Sequence, residues 1–213
     1  VVPLLSLIMP APQAMGLLVL PVLLSNTLQA VEGGRLGYAM RRFWPVMLAQ
    51  LVATVLAVHL SAQMSLKALN GAIAFTVISA VVLMALQPRG EIPLRHQAWA
   101  GPVVGAVAGL LAGLSSLTGP ILIGYLMALR LKRDEFVGSI SIIYLVGAVP
   151  MYGAMLAWGR FGWTEVGWSL LALAPMYAGM RMGAAIRHRL SEAVFRQLLL
   201  AFLTLLSVLL LFK

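Results

Sequence analysis

The sequence contains no cysteine, and only 6 of its 213 residues are acidic. Without cysteine there is no disulfide framework, no thiol nucleophile and no cysteine-based metal site. Every acidic residue lies at the end of an apolar segment or between two segments: Glu32, Glu91, Asp134, Glu135, Glu165 and Glu192. Because a proton relay or a cation site inside a membrane is normally built on a buried carboxylate, the sequence disfavours both.

Catalytic patterns are also missing. The 3 histidines are not paired at metal-ligand spacing, and the chain has no Ser/His/Asp set and no convincing phosphate-binding loop. His59 stands alone, which is typical of a packing or interface residue. The sequence therefore predicts no enzyme, no metal site and no cofactor.

Apolar residues are what the chain has in abundance. They make up 62% of it, only 10% of residues are charged, and the mean hydropathy is +0.98. A soluble domain has about 45–50% apolar and about 25% charged residues. The composition predicts an all-α polytopic membrane protein embedded in the lipid bilayer. The net charge of +9 comes from basic residues in short loops, as the positive-inside rule predicts, and does not indicate a nucleic-acid partner.

Apolar runs of about 20 residues predict transmembrane spans. Six are expected: 13–31, 45–62, 68–86, 136–157, 164–185 and 192–212. The chain begins at Val1, already apolar, which suggests that an N-terminal segment is missing. We interpret residues 1–12 as the returning limb of a hairpin that this segment would begin.

The stretch 98–130 is too long for one span and short for two. Its first limb, 98–114, nearly crosses a bilayer, whereas 120–130 covers only about half of the hydrocarbon thickness as a helix. Residues 113–120 lie between the limbs and are rich in glycine, hydroxyls and proline. We expect a re-entrant hairpin, which enters the membrane and returns to the same side, with 113–120 as its tip.

The distribution of basic residues favours this hairpin. If it re-enters, 12 of the 15 basic residues fall on one side and 3 on the other. The larger group is Arg35, Arg41, Arg42, Arg89, Arg95, Arg130, Lys132, Arg133, Arg181, Arg187, Arg189 and Arg196; the smaller is Lys67, Arg160 and Lys213. If 98–130 crossed once, the division would be 7 to 8. The positive-inside rule predicts a strong bias, so the larger group is expected in the cytoplasm.

The two halves of the chain resemble each other. The letters V-V-P-L-L around Pro3 match T-G-P-I-L around Pro120, and each is followed by three spans. An odd number of spans inverts the second half relative to the first. We therefore expect an incomplete first repeat (1–86), a cytoplasmic linker (87–97) and a second repeat (98–213). Inverted repeats with broken helices are a common plan of secondary transporters.

The hairpin tip is the best candidate site. Pro120 suits the first turn of a new helix, whose free N–H groups would form an anion site without a charged side chain. Hydroxyls of the tip add neutral donors, although they could instead satisfy the backbone at a plain helix break. The candidates here are Gly113, Ser115, Ser116, Thr118, Gly119 and Pro120. Gly101, Gly105 and Gly109 share a helical stripe with Gly113 and are expected to pack against another helix.

Polar residues on other spans are further candidates. Asn26 and Tyr144 each lie on the span that follows a hairpin, and Ser141 shares a face with Tyr144. Polar groups in a span usually face the bundle interior, where an interhelical hydrogen bond is the alternative role for each. Arg181 could attract anions or extend to the cytoplasmic interface.

The sequence from Gly105 to Leu126, G-A-V-A-G-L-L-A-G-L-S-S-L-T-G-P-I-L-I-G-Y-L, resembles the second glycine-rich motif of the sulfite exporter TauE/SafE family. Gly113, Ser115, Gly119 and Pro120 match the motif by position. Ser116 and Thr118 stand where the family often has glycine. The charged link and next span at 131–144 and the segment 3–14 are similar to the family as well.

The resemblance implies a bacterial inner-membrane permease for small sulfur-containing or organic anions, such as sulfite or sulfonates. Substrate would bind between hairpin tips and be exposed to each side in turn. A homo-oligomer is possible. A non-transporting scaffold or assembly subunit and an anion channel stay open as alternatives.

Overall fold

The computed structural model describes residues 1–34, 36–86 and 92–187, and beyond them only 197, 201–202, 204–205 and 208–209. The described secondary structure is helical, without a strand among these residues. Most of the predicted last span, 192–212, and the first part of the predicted linker, 87–97, lie outside the described residues.

Ten helices follow one another up to residue 187 in the described chain. They are α1 (Val2–Leu5), α2 (Ala11–Gly16), α3 (Val19–Gly33), α4 (Leu36–Ala62), α5 (Leu66–Leu86), α6 (Leu94–Ser115), α7 (Gly119–Ala128), α8 (Arg133–Ala157), α9 (Trp163–Leu171) and α10 (Leu173–Arg187). Four segments are long and apolar enough to cross a membrane: Ala11–Glu32, Leu36–Ala62, Arg95–Ser115 and Glu135–Ala157. The protein is therefore a multi-pass membrane protein.

Two predicted spans are each divided near a proline. The span 13–31 forms α2 and α3, with Pro21 in the first turn of α3, and 164–185 forms α9 and α10, with Pro175 in the first turn of α10. A proline has no N–H to donate to the carbonyl four residues earlier. The first therefore contains a break after Gly16 within one membrane-capable segment, Ala11–Glu32, and the second is a pair of consecutive helices.

Helices α6 and α7 form a helical hairpin. Residues Ser116, Leu117 and Thr118 separate them, and the N–H of Ile92 donates to the carbonyl of Ala128 at 3.2 Å. That bond joins the start of α6 to the end of α7, so the chain returns to the end of the bundle where α6 began. At 1.5 Å per residue, α7 is about 15 Å long, half of a hydrocarbon core.

Arg42 and Arg160 lie towards opposite ends of the bundle. Arg42 of α4 and Leu129, just after α7, line the same small cavity. At the opposite end of α4, the guanidinium of Arg160 donates to the carbonyl of Ala62 at 3.4 Å. Arg42 belongs to the larger basic group and Arg160 to the smaller one. Most of the length of α4 separates them.

Exposed tryptophans lie towards both ends of the bundle. Trp44 and Trp99 are exposed in the early turns of α4 and α6, and Trp158 and Trp163 are exposed at the α8–α9 link. The ring of Trp158 packs on that of His59, with 5.1 Å between centroids. Tryptophan is enriched at both membrane interfaces, so these side chains indicate where the headgroup regions lie.

Helix α4 packs along α6 through the glycine stripe. A methyl group added at Gly105 would lie 2.9 Å from the carbonyl carbon of Val46, and one added at Gly109 would lie 2.9 Å from the Cβ of Ala53. At Gly113 it would meet the Cβ of Ala57 at 2.6 Å. The stripe thus lets the two backbones touch, as small residues do in membrane helices.

The opposite face of α4 is apolar and exposed. Side chains four residues apart along it each expose half or more of their surface: Leu48, Val52, Leu56 and Leu60. A stripe of large apolar side chains that is half exposed suits contact with lipid. Helix α4 therefore has one face for α6 and another for the bilayer.

Candidate functional site

A cavity of about 370 Å³ lies where the hairpin tip meets α3, α4 and α8. This volume falls within the range of small-molecule sites. None of the described residues that line it has a charged side chain. They are Val1, Val2, Pro3, Leu18, Pro21, Val22, Ser25, Asn26, Gln50, Ala112, Ser115, Ser116, Leu117, Thr118, Gly119, Tyr144, Gly147, Ala148, Met151, Tyr152 and Met176.

Within the tip, the first residue after α6 has a left-handed backbone conformation. Ser116 follows α6 with φ 56° and ψ 19°, and its N–H donates to the carbonyl of Ala112 at 2.9 Å. Glycine is the usual residue in this position because a Cβ is strained there. Thr118 has φ −98°, which any residue adopts. The departure from glycine therefore has a conformational cost at Ser116 and none at Thr118.

The first turn of α7 has no side-chain cap. Thr118 occupies the N-cap position without a hydrogen bond from its side chain to the helix. Leu122 is the first residue whose N–H bonds back, to the carbonyl of Thr118 at 3.2 Å. Pro120 has no N–H, so Gly119 and Ile121 carry the N–H groups that this turn leaves without an intrahelical acceptor. These N–H groups give the amino-terminal end of α7 a partial positive charge.

Ser115 is largely engaged by its own chain. Its hydroxyl donates to the carbonyl of Leu111 at 2.9 Å and lies 3.3 Å from the N–H of Leu117. Both bonds are to the backbone at the end of α6. The single proton of the hydroxyl is therefore donated to the carbonyl of Leu111. Ser115 lines the cavity but is better placed to shape the tip than to donate to a ligand.

Tyr144 and Asn26 come to the cavity from α8 and α3. The hydroxyl oxygen of Tyr144 lies 3.3 Å from where a Cβ on Gly119 would be, which places a donor beside the first residue of α7. The amide nitrogen of Asn26 donates to the carbonyl of Val22 at 2.8 Å, within its own helix. The structure thus brings these two residues to the same cavity as Ser115, Ser116, Thr118 and Gly119.

Three other predicted site residues do not line this cavity. Gly113 contacts α4, as described above, and Pro120 lies in the first turn of α7. Ser141 is buried between α8 and α3, where its hydroxyl donates to the carbonyl of Val137 at 2.9 Å and lies 3.3 Å from Oε1 of Gln29. Ser141 thus takes the alternative role, an interhelical contact.

Gln50 and Gly147 line the cavity but were not among the predicted site residues. The sequence signal for Gln50 is the one amide in a mostly apolar span, near the middle of α4. Gly147 carries no sequence signal, because its importance comes only from what packs on it. Among the described residues, no group of three or more His, Asp or Glu side chains could hold a metal ion.

Comparison with known proteins gives one family. The sequence profile described as Sulfite exporter TauE/SafE matches residues 1–210, nearly the whole chain. No curated protein and no solved structure matches the chain significantly.

Proposed function

Since the chain belongs to the sulfite exporter TauE/SafE family, a family of membrane transporters and not of enzymes, we propose that it moves small sulfur-containing or organic anions across the bacterial inner membrane. The observation that carries the proposal is the cavity beside the uncapped start of α7. Its walls combine apolar side chains with neutral donors, and no charged side chain. Such a site can attract an anion without holding it too tightly to release.

The anion would bind at the amino-terminal end of α7. The N–H group of Gly119 and the hydroxyl of Tyr144 supply the donors, and the helix dipole adds about half a positive charge. The hydroxyls of Ser116 and Thr118 lie in the same wall, and Asn26 faces them from α3. Because no side chain neutralises the ligand fully, a single negative charge is favoured over two.

We further propose that the α6–α7 hairpin is re-entrant and that the halves are inverted repeats. The return of Ala128 to Ile92 supports the hairpin. Both Pro3 and Pro120 lie in the first turn of a helix, and the starts of both helices line the cavity. Equivalent helix starts from the two halves would then meet at the site, as in transporters whose substrate site lies between inverted repeats.

Reconstitution tests the proposed transport. Proteoliposomes that contain the protein are expected to take up radiolabelled sulfite or methanesulfonate in a saturable way and to exchange it for unlabelled anion. Tyr144→Phe removes the donor beside Gly119 and is expected to reduce uptake several-fold. Tyr177→Phe is the matched control, since Tyr177 is exposed and lies outside the cavity.

The outcomes separate the alternatives. Saturable flux that depends on Tyr144 and not on Tyr177 supports the permease. Flux that neither saturates nor exchanges favours a channel. If sulfite, sulfonates and carboxylates all fail to move, the transport proposal is wrong and a scaffold or assembly role gains support.

A further inference from the structure

The small cavity that Arg42 and Leu129 line has a volume of about 160 Å³. It lies between α4, α6 and α7, at the end of the bundle where α6 begins and α7 ends, and it shares no lining residue with the cavity at the start of α7. Small-molecule sites usually have at least about 300 Å³. This cavity therefore has room for one chemical group and not for a whole cofactor or lipid molecule.

Arg42 brings a positive charge to the small cavity. Its guanidinium donates a hydrogen bond to the hydroxyl of Tyr38 and lies over the rings of Tyr38 and Phe43, 5.7 and 5.6 Å from their centroids. Among the described residues, no carboxylate pairs with it. The two rings hold the guanidinium in place without neutralising it, and a guanidinium has five N–H donors. Arg42 therefore keeps both charge and donors for an anion.

The hydroxyl of Tyr125 is a second donor at this cavity. The side chain lines the cavity and is only 6% exposed, and its hydroxyl oxygen lies 3.2 Å from where a Cβ on Gly101 of α6 would be. This oxygen keeps accessible surface, and in the described part of the chain it has no hydrogen-bond partner. A tyrosine hydroxyl that is buried to this degree normally has one. A ligand in the cavity would supply it.

Two tryptophans place the small cavity at the depth of the lipid headgroups. Trp44 precedes Pro45 and Trp99 follows Ala98, and both of these neighbours line the cavity. The two indole side chains are 57% and 60% exposed, and exposed tryptophan is enriched at the membrane interface. By the charge distribution this end is expected in the cytoplasm, where anionic lipid headgroups bind basic pockets between transmembrane helices.

We infer that the small cavity binds the phosphate group of an anionic phospholipid. Arg42 supplies charge-assisted hydrogen bonds and Tyr125 a neutral one. The volume admits the phosphate, while the acyl chains stay outside in the bilayer beside the exposed tryptophans. The bound lipid would join α4 and α6 to the end of α7. The inference does not rest on the proposed transport, because the two cavities are separate.

Two lipids with the same acyl chains test the inference. The full chain is purified in a neutral detergent, freed of lipid, and titrated with dioleoylphosphatidylglycerol or dioleoylphosphatidylcholine while its melting temperature is measured. The first lipid is expected to raise the melting temperature by several degrees. The second is expected to raise it less, because its choline cation opposes Arg42. Inorganic phosphate at the same concentration is expected to leave it unchanged.

Arg42→Gln removes the charge and is expected to weaken the apparent affinity for phosphatidylglycerol tenfold or more. Arg95→Gln is the matched control. It makes the same change in net charge at the same end of the bundle, and Arg95 is exposed and does not line the cavity. This control is expected to keep nearly the full rise in melting temperature.

Tyr125→Phe removes one hydroxyl from a buried ring and is expected to weaken the apparent affinity for phosphatidylglycerol about tenfold. Without lipid it is expected to melt close to the wild type, since the hydroxyl has no partner to lose within the described chain. It keeps the test decisive if Arg42→Gln does not fold. Tyr177→Phe is its control, because Tyr177 is exposed and lines neither cavity.

Four results would each overturn the inference. Equal rises with the two lipids would remove the preference for an anionic headgroup, and an equal loss in Arg42→Gln and Arg95→Gln would indicate general surface charge. Full binding by Tyr125→Phe would place the lipid elsewhere. A rise with inorganic phosphate that matches phosphatidylglycerol would mean that the cavity takes free anions. None of these results touches the transport assay, which reports on the other cavity.

Discussion

The hydroxyl of Tyr144 stands over Gly119, 3.3 Å from the position that a Cβ on that glycine would take. Tyr144 belongs to α8 and Gly119 begins α7, so this contact joins the tip of the hairpin to the helix that follows it. Glycine at 119 leaves the first N–H of α7 uncovered. The same contact therefore sets both the shape of the cavity and the access of a ligand to the helix start.

Gly119→Ala is expected to weaken anion binding about tenfold or more with little loss of stability. The added methyl needs the Tyr144 hydroxyl to move by a few tenths of an ångström, and it covers the N–H group beside it. Binding affinity and melting temperature measure the two effects. Gly124→Ala is the control on the same helix, since nothing lies within 4 Å of its added methyl. Equal loss of binding in both variants would mean that binding depends on α7 as a whole and not on the N–H groups at its start.

Gly109→Ala is expected to destabilise the protein by about 1–3 kcal/mol, because its methyl overlaps the backbone of α4. For a chain of this size, that corresponds to a fall of several degrees in melting temperature. Gly153→Ala, in open space on α8, should be neutral or gain up to about 1 kcal/mol from helix propensity. Similar melting temperatures for the two variants would argue against close packing of α4 and α6.

Ser116→Gly is expected to raise stability by about 1 kcal/mol, since it relieves the left-handed residue at the tip. Thr118→Gly should give no gain and cost a few tenths of a kcal/mol in chain entropy. Thermal unfolding of the two variants compares the positions directly. A gain in stability for Thr118→Gly and not for Ser116→Gly would mean that the left-handed residue of the tip is 118 and not 116.

Arg95→Cys and Lys132→Cys are expected to react with a membrane-impermeant thiol reagent from the same side of the membrane. Both flank the hairpin and are exposed, and the bond between Ile92 and Ala128 brings their segments together. Lys67→Cys should react from the other side. The chain has no cysteine of its own, so each label reports one position. Labelling of 95 and 132 from opposite sides would rule out the re-entrant hairpin.

Much of the fold follows from one-dimensional patterns. Apolar length predicts α4 and α8, and the change from apolar run to glycine, hydroxyls and proline predicts an interruption before Pro120. The charge distribution predicts a re-entrant hairpin, which stays a prediction. These features depend on the neighbours of each residue along the chain, which the sequence shows directly.

The neighbour that each side chain contacts is harder to predict, because it depends on which helix packs against that face. Ser141 and Tyr144 share a face by periodicity, yet Ser141 contacts α3 and Tyr144 reaches the cavity. The sequence predicts Gly113 both in the glycine stripe and at the tip; in the structure it lies within α6 and packs against Ala57 of α4. Gln50 likewise lines the cavity where its side chain packs over Gly147, which lies almost a hundred residues later.

The glycine contact between α4 and α6 has a mechanical consequence. Helix α4 belongs to the expected first repeat and α6 to the second, and here their backbones touch without intervening side chains. A seam of this kind resists both sliding and separation, because glycine offers no flexible groups that could adjust. We therefore expect the two helices to move as one unit along this contact. If the proposed alternating access occurs, α4 and α6 are expected to move together, and the cavity is expected to open by motion of other helices against this pair.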